Sequence, residues 1–205
     1  MSDAATRQRH KDQVALGAAA VCAVAAVLIW VLWALPVARS VGEAEPAAIG
    51  DTITVELAEG PAGIWGSGRS PLLGTMECTV TGPSGERLAQ SGPPSLTWDD
   101  TLWWLTPRPG FEQVTRFTAP AAGVYDVACT DALDTYDGSF LVAGDTFGTG
   151  TIGLGRTGSS DFAVGTVLAF SAVVLPLFAA LVPLIILVRR FVERRRRRRP
   201  QQQSG

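Results

Sequence analysis

Two long runs of apolar residues without a charged side chain divide the chain into a middle segment and two short ends. The first run covers residues 14–38 and the second covers residues 162–188. An α-helix rises about 1.5 Å per residue, so about 20 residues cross a hydrocarbon core roughly 30 Å thick. Both runs exceed that length, and the pattern predicts two transmembrane helices.

A cleaved signal peptide is the alternative for the first run, because Arg7, Arg9 and Lys11 give it a basic start. The apolar region of a signal peptide is about 7–15 residues long, which is shorter than this run. The stretch LPVARS at its end offers only a poor small-x-small cleavage site. We therefore predict that the first run stays in the protein as a span.

Between the two runs, apolar and polar positions alternate in short stretches. In DTITVELA, for example, Ile53, Val55 and Leu57 share one face. Gly, Pro and Asp clusters separate this stretch from the later ones, TMECTVTGPSGERL, SLTWDDTLWWL, EQVTRFTAP, GVYDVACT and GSFLVAG. Seven or eight short strands with regular turn signals predict an all-β domain, a β-sandwich or jelly roll, flanked by the two transmembrane helices.

Charge gives the predicted orientation. The two ends carry eleven basic and three acidic residues, whereas the middle segment carries six arginines and sixteen acidic residues. Cytoplasmic flanks of spans are enriched in Lys and Arg, so both termini are predicted to be cytoplasmic. A single lysine and no asparagine indicate a GC-rich bacterial genome, and hence a bacterial cytoplasmic (inner) membrane.

The predicted organisation has six segments. In chain order they are a cytoplasmic N-terminus (1–13), the first span (14–38), an extracytoplasmic β-sandwich (39–146), a Gly-rich linker (147–161), the second span (162–188) and an Arg-rich cytoplasmic tail (189–205).

The tail is predicted to anchor the second span against anionic lipid headgroups of the inner leaflet. Each such arginine contributes about 1 kcal/mol near the surface. The arginines concerned are Arg189, Arg190, Arg194, Arg195, Arg196, Arg197, Arg198 and Arg199. Nonspecific nucleic-acid binding and a cytoplasmic protein partner are the alternatives. Nucleic acid is not expected, because only PQQQSG follows the arginines.

Two of the three cysteines are predicted to form a disulfide. Cys22 lies in the first apolar run, while Cys78 and Cys129 lie in strand-like stretches of the exported segment, an oxidising location. Alternation places each of these two thiols on the apolar face of its strand. Closing a loop of about 50 residues contributes about 4 kcal/mol in the chain-entropy model. Two buried free thiols are the alternative.

The stretch TWDDTLWWL is a candidate binding surface. It concentrates Trp98, Trp103 and Trp104 within seven residues, and alternation puts Trp103 on the face opposite the other two. Exposed aromatic side chains mark sites for protein partners or glycans. Packing in the core is the alternative for most of them.

Asp131, Asp134 and Asp137 in TDALDTYDGS suggest a calcium site, since carboxylates beside a glycine turn bind Ca²⁺. Their spacing of three differs from the spacing of two in an EF-hand loop, and no bidentate glutamate follows. An acidic hairpin loop is the favoured interpretation, and no cofactor is predicted.

Enzyme machinery is not evident. The only histidine, His10, lies on the predicted cytoplasmic side, so no Ser/His/Asp set or Cys/His pair forms in the exported segment. An enzyme that acts on envelope polymers would need paired carboxylates, and nothing in the sequence singles out a pair.

Three stretches resemble an exported β-domain of uncharacterised actinobacterial membrane proteins. They are ITVELAEGPAGIWG, MECTVTGPSGERL and FTAPAAGVYDVACT, and they cover about 80 residues. The resemblance implies a β-sandwich with a disulfide, and it implies no activity.

The sequence therefore predicts an accessory or interaction protein of the cell envelope with a membrane or envelope protein as partner. A tethered module that binds or senses a ligand or glycan is the first alternative. An envelope-polymer enzyme is the second.

Overall fold

The computed structural model describes residues 2–93, 102, 107–146 and 161–198. The β-rich part of these residues lies between two long helical segments. The helical elements are α1 (Ser2–Ile29), a π-helical turn (Trp30–Ala34), α2 (Leu35–Glu43), the short α3 (Arg69–Leu73) and α4 (Asp161–Arg198).

Two stretches of helix are long and apolar enough to cross a membrane, judged by length and composition. They are His10–Glu43, which includes the π-helical turn, and Phe170–Val192. The prediction of two apolar helices flanking a β-rich domain is therefore confirmed.

The strands form two antiparallel sheets. They are β1 (Ala47–Ala48), β2 (Thr52–Leu57), β3 (Gly60–Gly68), β4 (Met76–Thr81), β5 (Gln90–Ser91), β6 (Glu112–Ala119), β7 (Gly123–Asp131) and β8 (Gly138–Gly144). The larger sheet has the order β1-β8-β3-β6-β5, and the smaller sheet has the order β2-β7-β4. Every pairing between these strands is antiparallel.

The alternation of residue types accounts for these strands. In β7, Tyr125, Val127 and Cys129 are fully buried, while Val124, Asp126 and Thr130 between and beside them are exposed. Such alternation is typical of a sheet that covers a core with one face and meets water with the other. The predicted stretch SLTWDDTLWWL lies outside the described residues except for Leu102.

One apolar core receives side chains from both sheets. Its fully or nearly fully buried members are Ala62, Ile64, Met76, Val80, Phe117, Ala119, Tyr125, Val127, Cys129, Phe140 and Val142. Because β3, β6 and β8 belong to one sheet and β4 and β7 to the other, the burial of these side chains stabilises both sheets together.

The described chain separates into two compact units. One contains the described residues up to 29 together with those from 170 onward, and the other contains those between 30 and 169. In the first unit, the Arg190 guanidinium lies 3.3 Å from the Asp12 carboxylate. The start of one apolar helical segment and the end of the other are therefore neighbours.

The end of the first predicted span belongs to the unit that contains the sheets. Trp33, Ala34, Val37 and Val41 are at most 2% exposed. These residues have the i, i+4 spacing of one helix face, and α2 packs on β8. Residues 30–38 of the predicted span are thus part of the compact unit that carries the β domain.

Candidate functional site

The structure joins the predicted cysteines. Cys78 of β4 and Cys129 of β7 face each other in the register of the smaller sheet, and their sulfur atoms form a disulfide across 51 positions of sequence. Cys129 is fully buried, as the alternation of β7 requires. The third cysteine, Cys22, is free.

A buried network of polar side chains joins residues 30–43, which we call the helical entry of the β domain, to the larger sheet. The Gln113 side-chain amide donates to Asp145 Oδ1 at 2.6 Å, and its carbonyl oxygen accepts from the Thr146 amide at 2.8 Å and from the Thr146 hydroxyl at 2.5 Å. The Trp33 indole donates to the Thr146 carbonyl at 2.8 Å. Gln113, Asp145 and Thr146 are at most 3% exposed, so their hydrogen bonds form away from water.

A second contact fixes α2 at the same end of β8. The Ser40 hydroxyl accepts from the Gly144 amide at 3.0 Å and donates to the Val37 carbonyl at 2.8 Å. At the C-terminus of α2, Arg108 donates to the carbonyl oxygens of Gly42 and Ala44. A cation placed there complements the partial negative charge of a helix end.

At the other end of β8 lies a surface that we name the leucine tip. It consists of residues 69–77, which include α3, and of the loop 131–137 between β7 and β8. Gly138 pairs with Gly68 at this end, whereas Gly144 is bonded to Ser40 at the opposite end. Seven residues of strand separate these ends by about 20 Å.

Two glycines, Gly68 of β3 and Gly138 of β8, approach each other closely beneath the leucine tip. Gly68 has a φ of 103°, a conformation that side chains rarely adopt. A Cβ atom on Gly68 would lie 2.7 Å from the Cα of Gly138. A larger residue at position 68 would therefore push β3 and β8 apart where α3 begins.

Asp131 holds the two segments of the leucine tip together. Its carboxylate accepts from the hydroxyl of Thr75 and from that of Ser70, the latter at 2.7 Å. It also accepts from the amides of Thr135 and Tyr136, at 2.8 and 3.0 Å. These bonds, above all the one from Thr75, hold the pKa of Asp131 well below its usual range, while partial burial acts in the opposite direction.

The predicted acidic loop is thus organised around one of its three aspartates. Asp131 uses its oxygen atoms for bonds within the leucine tip, whereas Asp134 and Asp137 are exposed. Asp134 has a φ of 54°, which aspartate tolerates in a turn. Among the described residues, no group of three His, Cys, Asp or Glu side chains could hold a metal ion.

Three leucines of the leucine tip meet the solvent. Leu72 is 80% exposed, Leu73 is 56% exposed and Leu133 is 59% exposed. These leucines are not among the site residues predicted from the sequence, although the sequence carries a signal for two of them. The doublet Leu72-Leu73 stands between Pro71 and Gly74, in a stretch too short to bury both side chains in a helix or strand.

A cleft of about 950 Å³ opens between the sheets, and Leu72, Met76 and Asp137 of the leucine tip form part of its wall. Gly66 of β3, Met76 and Cys78 of β4, and Val114 and Thr115 of β6 are among the residues that line it. Clefts of this size, with apolar walls and a few polar groups, accommodate small ligands.

The remaining predicted site residues are placed only in part. Trp98, Trp103 and Trp104 lie outside the described residues. In the tail, Arg189, Arg190 and Arg195 are exposed on α4, and the Arg195 guanidinium lies 4.7 Å from the centre of the Phe191 ring. The side chains of Arg194 and of residues 196–199 lie outside the described part.

Comparison with known proteins gives no relative from which a function could be transferred. No family model, no curated protein and no solved structure matches this chain.

Proposed function

We propose that this protein is a two-span protein of the bacterial cell envelope that presents a β-sandwich outside the cytoplasmic membrane to a protein partner. The two long apolar helical segments support the spans. The common core of two antiparallel sheets supports the sandwich. The surplus of arginines at the ends of the chain supports cytoplasmic termini.

The salt bridge between Asp12 and Arg190 fits this topology. It brings together the beginning of the first apolar segment and the end of the second, as expected when both helix ends lie on one side of the membrane. The exposed side chains of Arg189, Arg190 and Arg195 then face anionic headgroups of the inner leaflet.

The observation that carries the proposal is the exposure of the leucine tip. Leu72, Leu73 and Leu133 lie at the end of β8 opposite the buried network that receives the helical entry of the β domain. Apolar side chains exposed together mark protein–protein interaction sites. An interaction role needs no catalytic group, and the only histidine of the chain, His10, lies in α1.

Quantitative co-purification tests this role. Native membranes that hold the full chain are crosslinked briefly and dissolved in a mild detergent, and the captured proteins are measured by mass spectrometry. We expect a stoichiometric partner that is lost from the double variant Leu72→Ser, Leu133→Ser. The variant Val124→Ser is the matched control, because Val124 is an exposed apolar residue of β7, 54% exposed, outside the leucine tip. A protein that is captured alone contradicts the proposal.

A ligand-binding or sensing module is the second candidate, and the cleft between the sheets favours it. We expect, in that case, that soluble oligosaccharide fragments of the envelope raise the melting temperature of the full chain. The variant Thr115→Trp, which fills the cleft, should then abolish this increase. Equal melting temperatures with and without every fragment contradict the second candidate.

A further inference from the structure

The leucine tip concentrates the exposed apolar surface of the β domain. Four large apolar side chains in the described residues between 44 and 146 are more than half exposed, and three of them, Leu72, Leu73 and Leu133, belong to the leucine tip. The fourth, Val124, lies in β7. Side chains that can be buried completely by a partner are the ones that dominate binding energy.

Hydrogen bonds hold the two segments of the leucine tip in one arrangement. The Ser70 amide donates to the Asp137 carbonyl at 3.2 Å, and the Ala132 amide donates to the Thr75 carbonyl at 2.8 Å. The Ser70 hydroxyl adds its bond to Asp131. A surface fixed in this way loses little conformational entropy when a partner binds.

The charge around the leucines has one predominant sign. Residues 69–77 and 131–137 contain four carboxylates and one guanidinium, a net charge of −3. Asp131 is engaged within the leucine tip. Glu77, Asp134 and Asp137 are exposed, and so is Arg69, so the three exposed carboxylates and one exposed guanidinium carry a net charge of −2. The surface is thus an apolar centre with an anionic rim.

Charge decides between the possible occupants. A second copy of this chain would bring two anionic rims together, and like charges across an interface are unfavourable. Anionic lipid headgroups are disfavoured for the same reason. A helix with leucine-like residues on one face and Lys or Arg beside them satisfies both the apolar centre and the rim.

We propose that the leucine tip binds a cationic amphipathic helix of a partner protein. The apolar face of that helix covers Leu72, Leu73 and Leu133, and its basic side chains pair with Glu77, Asp134 and Asp137. This inference rests on the proposed interaction role and specifies the chemistry of the partner.

Photocrosslinking with designed peptides tests the inference. The full chain is placed in nanodiscs of phosphatidylcholine, which has no net charge. The probe is a Leu/Lys amphipathic peptide of about 14 residues, or about four helical turns, with one photoreactive leucine. A Leu/Glu peptide with the same pattern is the control probe. Mass spectrometry then locates the adducts along the chain.

We expect the adducts of the Leu/Lys peptide to fall within residues 69–77 and 131–137. The double variant Leu72→Ser, Leu133→Ser should reduce them about tenfold or more, as truncation of central interface side chains does. Val124→Ser should leave them unchanged. The double variant Asp134→Asn, Asp137→Asn should reduce labelling by the Leu/Lys peptide and increase labelling by the Leu/Glu peptide.

Two results would overturn the inference. Equal labelling by the two peptides would mean that the rim does not select for charge, and adducts spread over both sheets would mean that the leucine tip is not the site. If co-purification still yields a partner that depends on Leu72 and Leu133, the interaction role stands and only the cationic helix is refuted. If no partner is captured and the peptides label no defined site, both proposals fail.

Discussion

At the scale of single residues, Asp131 has more hydrogen bonds than any other described side chain of the leucine tip. We expect Asp131→Asn to lower the melting temperature of the full chain in detergent. The two hydroxyls donate to Oδ1 and the two backbone amides donate to Oδ2, and the amide nitrogen of asparagine cannot accept at one of these two positions, so one pair of bonds is lost. Thermal unfolding followed by tryptophan fluorescence measures the change.

The matched control for this variant is Asp134→Asn, an exposed aspartate of the same loop. It should leave the melting temperature nearly unchanged, as surface substitutions usually do.

Because the pKa of Asp131 is lowered in the folded protein, its stabilising contribution is complete above the unfolded value of about 3.9 and is lost as the pH falls through the folded value. The difference in melting temperature between the wild type and Asp131→Asn should therefore persist from pH 8 to about pH 5. A difference that disappears already near neutral pH contradicts this account.

The disulfide provides the second prediction for single residues. We expect the double variant Cys78→Ala, Cys129→Ala to lose about 4 kcal/mol of unfolding free energy, since the bond closes a loop across 51 positions. Denaturant unfolding of both proteins in detergent gives the difference. Cys22→Ala is the control, because that thiol is free. Reduction of the wild type should lower its stability to that of the double variant, and no effect of reduction contradicts the prediction.

These two residue sets differ in what the sequence reveals about them. The disulfide follows from alternation, because Cys78 and Cys129 each share a face with apolar neighbours, and the prediction is confirmed. The role of Asp131 depends on hydroxyls at positions 70 and 75, which only the folded chain brings close to it. The sequence therefore favoured an acidic hairpin loop over a metal site at this position but did not indicate that Asp131 accepts hydrogen bonds from a second segment.

At the scale of elements, the buried network fixes the end of β8 to the start of β6 and to the helical entry of the β domain. Gln113→Glu replaces an amide donor with a carboxylate whose oxygen would lie 2.6 Å from Asp145 Oδ1. We expect a loss of roughly 2–5 kcal/mol in unfolding free energy at neutral pH, because two buried carboxylates then repel each other.

The loss caused by Gln113→Glu should shrink as the pH falls, since protonation of one carboxyl group restores a donor between the two. Denaturant unfolding at pH 7.5 and pH 5 compares the two conditions. Gln90→Glu on β5 is the matched control. The side chain of Gln90 is half-buried, and its amide donates to the carbonyl oxygen of Cys78 and not to a carboxylate. A loss that is the same at both pH values would exclude repulsion between carboxylates as the cause.

The boundary between span and β domain shows how far a sequence pattern defines an element. Residues 30–38 continue the apolar run, so hydropathy alone assigns them to the first span. The structure places Trp33 and Val37 in the unit that contains the sheets, where both are buried within the protein, whereas the pattern predicted a membrane environment. Hydropathy detects removal from water, and it does not distinguish these two environments.

At the scale of the whole molecule, composition and periodicity predicted the order of the segments. In chain order these are a helical segment, a β-rich domain and a second helical segment. These features are local in sequence, since a helix and an alternating strand are each visible within ten to twenty residues. The leucine tip could not be predicted as a surface, because its two segments are about 60 positions apart and are joined by Asp131. The buried network likewise joins residues 33, 113 and 146.

The proposed topology leads to a prediction for the entire chain. In intact spheroplasts, external trypsin should cleave the β domain, while epitope tags at both termini stay protected until the membrane is permeabilised. We expect replacement of all six arginines of residues 194–199 by glutamine to expose the C-terminal tag in a measurable fraction of molecules, because moving arginines across the hydrocarbon core costs several kcal/mol and glutamine removes this barrier.

The control for this experiment removes arginines from the β domain. Arg69→Gln and Arg87→Gln change exposed arginines far along the sequence from both apolar runs, and should leave both tags protected. A C-terminal tag that trypsin removes from intact spheroplasts of the wild type contradicts the proposed orientation. In that case the surplus of arginines would lie outside the membrane, and anionic headgroups of the inner leaflet could not be its partner. If the β domain also resists external trypsin, both spans are inverted, the leucine tip faces the cytoplasm, and the cationic helix would belong to a cytoplasmic protein.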